Sequence, residues 1–461
     1  MLFNTQLFLL VFLPLCAAGY YLCARNIAAR GWWLVLASLL FYSYWDIRLS
    51  PLLVVSIAAN WLLVKVATGI AKRWLLALGV VLNLGVLGLF KYADFFVSSL
   101  AFVMPLQPRE FGIVLPLGIS FFTFQQISYL IDVRRGTGPS YCFRDYALYV
   151  SFFPQLIAGP IVRHGEIIHQ YALHPLRRGL DERVARGLVL LTLGLIKKLM
   201  FADEAAEIAD PIFVSASAAD LIQTSDAWLG LLAFTLQIYF DFSGYSDMAI
   251  GLALVFGLTL PENFRAPYAA TSISDFWRRW HITLSEFLRD YLYIPLGGNR
   301  HGLTRLFGAL SITMLLGGLW HGAAWTFVAW GAMHGAALIL AHAWRLTPWR
   351  CPKPIGWALT LTVVMLAWVL FRAPDFASAG RYFLALLSLG DGPGRVVDGL
   401  DSQLVLWIAA ALAIIGPTSH RVAFVLLPSA RWAGALAGIA IAVVILAAGG
   451  GRSEEFIYFQ F

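Results

Sequence analysis

Apolar runs follow one another along nearly the whole chain, and that succession constrains the fold more than any single motif. They stand at about 2–22, 32–45, 51–68, 74–90, 111–131, 186–200, 228–258, 323–343, 355–371, 404–416 and 432–449. A helix perpendicular to the bilayer needs about 20 residues to cross about 30 Å of hydrocarbon, so the shorter runs imply a thinned membrane or re-entrant pieces. Composition agrees: 60% of the residues are hydrophobic and 13% charged, against about 25% charged in soluble domains. No polar stretch approaches the size of a soluble domain in these 461 residues. The expectation is an all-α polytopic membrane protein built as one domain, 1–461.

The net charge of +7 does not point to nucleic acid, because the basic residues are scattered through short loops instead of gathering on one face. In a membrane protein that scatter reports orientation. Arg25 and Arg30 follow the first run, Lys72 and Arg73 the third, and Arg134 and Arg135 the fifth. By the positive-inside rule these loops are cytoplasmic, which places the N-terminus outside. MLFNTQLFLLVFLPLC has no basic n-region and is followed by further spans, so it reads as a first transmembrane helix, not a cleaved signal. Cys16, Cys23, Cys142 and Cys351 lie far apart and form neither a disulfide framework nor a metal motif.

Residues 146–162, YALYVSFFPQLIAGPIV, hold Pro154 and Pro160 between two basic flanks. Such a segment enters the membrane and returns, and broken backbone at that depth survives only inside protein or beside a water-filled cavity. The polar stretch 372–403 reads as a loop. No internal repeat is visible, which disfavours an inverted-repeat transporter.

Ionisable groups inside spans are costly and usually mark sites. Asp241 and Asp247, in LQIYFDFSGYSDMAIG, lie about 240° apart on a helix and so form no carboxylate pair. They either tie helices together or act in chemistry. FWRRWHITLSEFLRDYLYIPLGG, 276–298, reads as one amphipathic interfacial helix, with Trp277, Trp280, Phe287 and Tyr291 on the apolar arc and His281 at the boundary of the two faces. In GGLWHGAAWTFVAWGAMHG, 317–335, two histidines stand in an apolar, glycine-rich run with no acid nearby. The arm from Leu306 to Trp320 is about 22 Å long as a helix, too short to cross, and so leaves His321 within the membrane. His334 is about 220° round from His321, so the two are not a metal pair. It reads as a packing group. The C-terminal EEFIYFQF is an anchor or a docking strip.

A buried neutral imidazole without a neighbouring Ser or Cys nucleophile suits direct general-base catalysis. The missing acid is then explained, because the partner of His321 is the substrate. FWRRWHITLS, RDYLYIPLGG, WHGAAW, YFDFSGYSDMAIG, ENFRAPY and FIYFQF together resemble the bacterial branch of the membrane-bound O-acyltransferase superfamily, most nearly its acetyltransferases of alginate or cellulose modification, and more distantly the D-alanyl transfer protein of teichoic acids. The motifs run from about 110 to 345, with further likeness at both ends. Thr283 stands where the pattern commonly has Ser.

That resemblance implies a ring of about 11–13 tilted transmembrane and re-entrant helices around a central tunnel, in a bacterial inner membrane. His321 matches the family's catalytic histidine and His281 its second functional histidine. Asp241, Ser243, Trp277 and Trp320 are the residues expected to contact substrate. No metal and no resident cofactor is expected. The donor would be a cytoplasmic acyl thioester such as acetyl-CoA, and the acceptor an extracytoplasmic polysaccharide or a partner acetyltransferase. Two other classes stay open: a transporter or flippase with Asp241 and Asp247 as proton path, and a scaffold of an export complex without acyl chemistry.

Overall fold

The structure, a computed structural model, describes residues 1–103, 111–387, 400–427, 429, 432–435, 437–438, 441 and 456–457. Among the described residues every regular element is helical. Helices α1 (Leu13–Leu22), α2 (Ile27–Ser43), α3 (Ser50–Val66), α4 (Lys72–Val103) and α5 (Ile119–Arg135) are followed by three short ones, α6 (Phe143–Ser151), α7 (Phe153–Leu156) and α8 (His164–Ile167). Then come α9 (Leu180–Ile196), α10 (Asp203–Ser217), α11 (Thr224–Val255), α12 (Ile273–Trp277), α13 (Ile282–Leu288), α14 (Gly302–His321), α15 (Trp325–Arg345), α16 (Lys353–Arg372), α17 (Phe376–Leu386), α18 (Leu400–Ile415) and α19 (Ser419–Arg421).

Two compact units divide the chain. The first holds residues 1–195, 245–262 and 419–453; the second holds 196–244, 263–418 and 454–461. Five of the described helices are long and apolar enough to cross a membrane: Ile47–Val66, Lys72–Ala101, Gly302–His321, Trp325–Arg345 and Lys353–Arg372. A sixth span results if Gln403–Ile415 and Ser419–Leu426, bent by 77°, count as one. The chain is thus an all-α, multi-span membrane protein. Exposed Val55, Leu62, Leu78, Val81, Leu82 and Leu89 on α3 and α4 would be unusual in water and are ordinary against lipid. The remaining expected spans are shorter or more polar. Phe8–Leu22 and Ile27–Ser43 fall short in length, and α11 carries Gln237, Asp241 and Asp247 within its apolar run. Most of the expected span 432–449 lies outside the described residues.

In the first unit the proline-bearing segment is broken as expected: α6 ends at Ser151, and the ψ of 109° at the following Phe152 turns the chain out of the helix. Residues 146–162 are buried throughout, so protein surrounds the break. Leu148 also lies on the wall of a cleft of about 10 Å³, roughly the room one water needs.

The second unit corrects three readings. Helix α14 begins at Gly302 and runs 20 residues to His321, about 30 Å. It is long enough to cross, so arm length does not set the depth of His321. Residues 376–386 are helical, not loop, because Asp375 caps α17 by accepting a hydrogen bond from the Ser378 N–H at 2.7 Å; residues 388–399 lie outside the described residues. Third, 276–298 is not one helix, for the reason given below. Helices α14 and α15 form a tight hairpin. A Cβ on Gly318 would strike the Phe327 carbonyl oxygen and one on Gly331 the Met314 carbonyl oxygen, so only glycine permits this approach.

Candidate active site

The backbone between α12 and α13 folds back at His281, whose φ of 42° and ψ of 56° are left-handed. Two backbone hydrogen bonds hold that turn, from the Arg265 N–H to the Arg279 carbonyl and from the Ile282 N–H to the Asn263 carbonyl, each 2.9 Å. The expected amphipathic helix is therefore split. His281 is not on the boundary of two faces; it is fully buried. Its ring meets Phe242 edge-on at 4.7 Å and lies 6.3 Å from Phe264 and 6.1 Å from Trp320. Burial pushes its pKa from the ordinary 6.5 down to about 3, so the imidazole is neutral.

His321 closes α14 just before Gly322 breaks the helix, and is 4% exposed. Trp320, Trp330 and Phe371 stand edge-on to its ring at 4.9, 5.1 and 5.3 Å. Trp320 thus touches both His281 and His321. Trp277 meets Trp330 at 5.8 Å and His334 at 5.2 Å, so it joins the same cluster one ring further out. His334 is fully buried, and neither of its ring nitrogens has a hydrogen-bond partner among the described residues.

Asp241 lies on α11 one residue before Phe242 and is 1% exposed. Lys198 Nζ reaches its Oδ1 at 2.9 Å and Asp203 Oδ1 at 2.8 Å. The Asp241 Oδ2 accepts the Ile457 N–H at 2.7 Å, and Phe456 packs 5.9 Å from Phe242. Of the C-terminal strip only these two residues are described. Ser243, also buried, has a hydroxyl with no hydrogen-bond partner among the described residues. Asp247 belongs to the first unit. Among the described residues no His, Cys, Asp and Glu cluster could hold a metal ion.

Sequence reasoning missed Lys198 and Asn263. Lys198 is a buried cation at the end of an apolar run, a signal that was available. Asn263 Oδ1 receives hydrogen bonds from the Thr283 N–H at 3.3 Å and the Thr283 hydroxyl at 2.9 Å, and lies 3.2 Å from His281 Nδ1. No local pattern announces that partnership.

The profile of MBOAT, the membrane-bound O-acyltransferase family, matches residues 139–374, which include both histidines, the split helix and the α14–α15 hairpin. The chain belongs to the membrane-bound O-acyltransferase family. It is 45% identical to the probable alginate O-acetylase AlgI of Azotobacter vinelandii, over 85% of this chain and 79% of that protein. It is 42% identical to the peptidoglycan O-acetyltransferase of Helicobacter pylori, over 84% and 80% respectively. The likeness to the teichoic acid D-alanyltransferase of Streptococcus thermophilus is more distant, 26% over 55% of this chain and 68% of that one. The protein is accordingly an enzyme, a membrane-bound O-acyltransferase. The histidine and aromatic cluster of its second unit is its candidate active site.

Proposed function

We propose that this membrane-bound O-acyltransferase is an O-acetyltransferase of the bacterial inner membrane. It takes an acetyl group from a cytoplasmic thioester such as acetyl-CoA and passes it towards an extracytoplasmic polysaccharide, directly or through a partner acetyltransferase. The observation that carries this reading is the placing of His321 at the α14–α15 break, buried among Trp320, Trp330 and Phe371, in a chain whose relatives are named O-acetyltransferases and O-acetylases. The acceptor hydroxyl oxygen forms a bond to the thioester carbonyl carbon while its proton passes to His321. On collapse of the tetrahedral intermediate the C–S bond breaks, and the proton returns to the leaving thiolate. Low polarity around His321 keeps water from competing as acceptor.

A transporter reading needs a free carboxylate. Asp241 is instead held by Lys198 and by the Ile457 N–H, which argues for a structural tie. The two units would then act as one acyltransferase domain. We place the N-terminus outside and the loop at Arg25–Arg30 in the cytoplasm. Thiol labelling of a single cysteine near residue 28 by an impermeant reagent in intact cells would contradict that orientation. The function is tested by transfer of labelled acetyl from acetyl-CoA in membranes containing the protein. Acetylated glycan or partner is expected, whereas transport of substrate without acyl transfer would overturn the reading.

A further inference from the structure

We infer that Asn263 is a positioning residue that sets the tautomer of His281, placing the proton on Nδ1 and the lone pair on Nε2. The inference deepens the active-site reading above and rests on it.

A backbone N–H can only donate, and the Thr283 N–H points at Asn263 Oδ1 at 3.3 Å. That contact, with the Thr283 hydroxyl 2.9 Å from the same atom, fixes which way the Asn263 amide faces: its oxygen, not its NH2, is turned to the His281 loop. His281 Nδ1 lies 3.2 Å from that oxygen. Two lone pairs cannot share a hydrogen bond, so Nδ1 carries the hydrogen and donates it. In a neutral imidazole the other nitrogen is then the acceptor. Nε2 is buried and has no hydrogen-bond partner among the described residues.

The backbone supports the same conclusion. His281 is held in a left-handed conformation, which costs a non-glycine residue stability and persists where surrounding structure enforces it. Here the enforcing contact is again Asn263, whose carbonyl accepts the Ile282 N–H at 2.9 Å. Asn263 thus helps to hold the turn and fixes the ring's direction and its tautomer. A lone pair presented in this way can accept hydrogen and cannot give it. His281 Nε2 therefore faces a hydrogen-donating group of the acceptor other than the attacking hydroxyl, whose single proton passes to His321, and not the carbonyl oxygen of the thioester.

The test uses the full-length protein in lipid nanodiscs with its histidine rings labelled with nitrogen-15. The His281 signals are identified by their loss in His281→Gln. The parent is expected to show a protonated Nδ1 and an unprotonated Nε2. Asn263→Leu should mix the tautomers and lower kcat at least about tenfold, with the KM for the thioester unchanged. Asn263→Asp keeps an acceptor and adds a charge that favours imidazolium. It should keep the tautomer, recover most of kcat and move the acid limb of the pH–rate profile to higher pH. Thr283→Val, which removes only its own hydroxyl from Asn263, should keep the tautomer.

A protonated Nε2 in the parent, or parental tautomer and kcat in Asn263→Leu, would overturn the inference. If Asn263→Leu fails to accumulate, Asn263→Asp decides, and an unmoved acid limb with mixed tautomers would overturn it. If the tautomer is as stated but His281→Ala transfers acetyl at the parental rate, the inference about Asn263 stands and the reading of His281 as an active-site residue falls.

Discussion

His281 and His334 are both fully buried, and both sit among aromatic rings, yet their surroundings differ in kind. His281 occupies a left-handed turn between two short helices, with Nδ1 against Asn263 and Nε2 without a partner among the described residues. His334 lies in the middle of α15, where Phe276, Trp277 and Trp330 pack against it and neither nitrogen is hydrogen-bonded among the described residues. Burial and aromatic company therefore do not single out an active imidazole. What separates the two is asymmetry: at His281 one nitrogen is oriented by Asn263 and the other has no partner among the described residues, on left-handed backbone.

The largest effect should separate the two residues directly. His281→Ala should lower acetyl transfer on the order of a thousandfold at unchanged membrane abundance, whereas His334→Phe should cost less than about threefold. The latter replaces an unbonded polar ring by an apolar one of similar shape, which is neutral or stabilising. Equal losses in the labelled-acetyl assay would erase the distinction.

A second comparison sharpens the support of each residue. Lys198→Met leaves Asp241 as a buried charge beside the Phe242 that packs on His281, and should destabilise the protein by about 3–5 kcal/mol. Adding Asp241→Asn should recover most of that in thermal unfolding; no recovery would mean the ion pair is not what matters. On the His334 side, Gly318→Ala drives a Cβ into the Phe327 carbonyl oxygen and should cost about 1–3 kcal/mol by prying α14 from α15. An unchanged melting temperature would show that the hairpin is loose.

The smallest effect is one of pH. The folded His281 pKa is about 3 and the ordinary value 6.5, so below about pH 6.5 the unfolded chain takes up a proton that the folded one refuses. Stability is complete above that pH and declines as pH falls towards 3. His281→Gln should flatten part of that decline in melting curves taken across the range. A parallel curve would argue that the ring is protonated in the fold.

The polytopic class was legible from the apolar runs, and the residues around His281 and His321 marked those two as candidate site residues. The split at His281 was not. Nothing between Phe276 and Leu288 is glycine or proline, so a helical wheel runs through the turn unhindered. The force that breaks it comes from Asn263, on a separate stretch of chain. The start of α14 is masked by Arg305, a charge that marks the edge of the apolar run although it already lies in the helix. The start of α17 is signalled by Pro374-Asp375, whose carboxylate caps the helix, within a stretch that otherwise reads as polar loop.

The central claim is that His321 receives the acceptor's proton. Its most direct test is transfer of labelled acetyl by His321→Ala in membranes, at an abundance matched to the parent by blot and with the parental melting temperature. The account predicts a loss of about a hundredfold to ten-thousandfold. Near-parental transfer by that variant would contradict it.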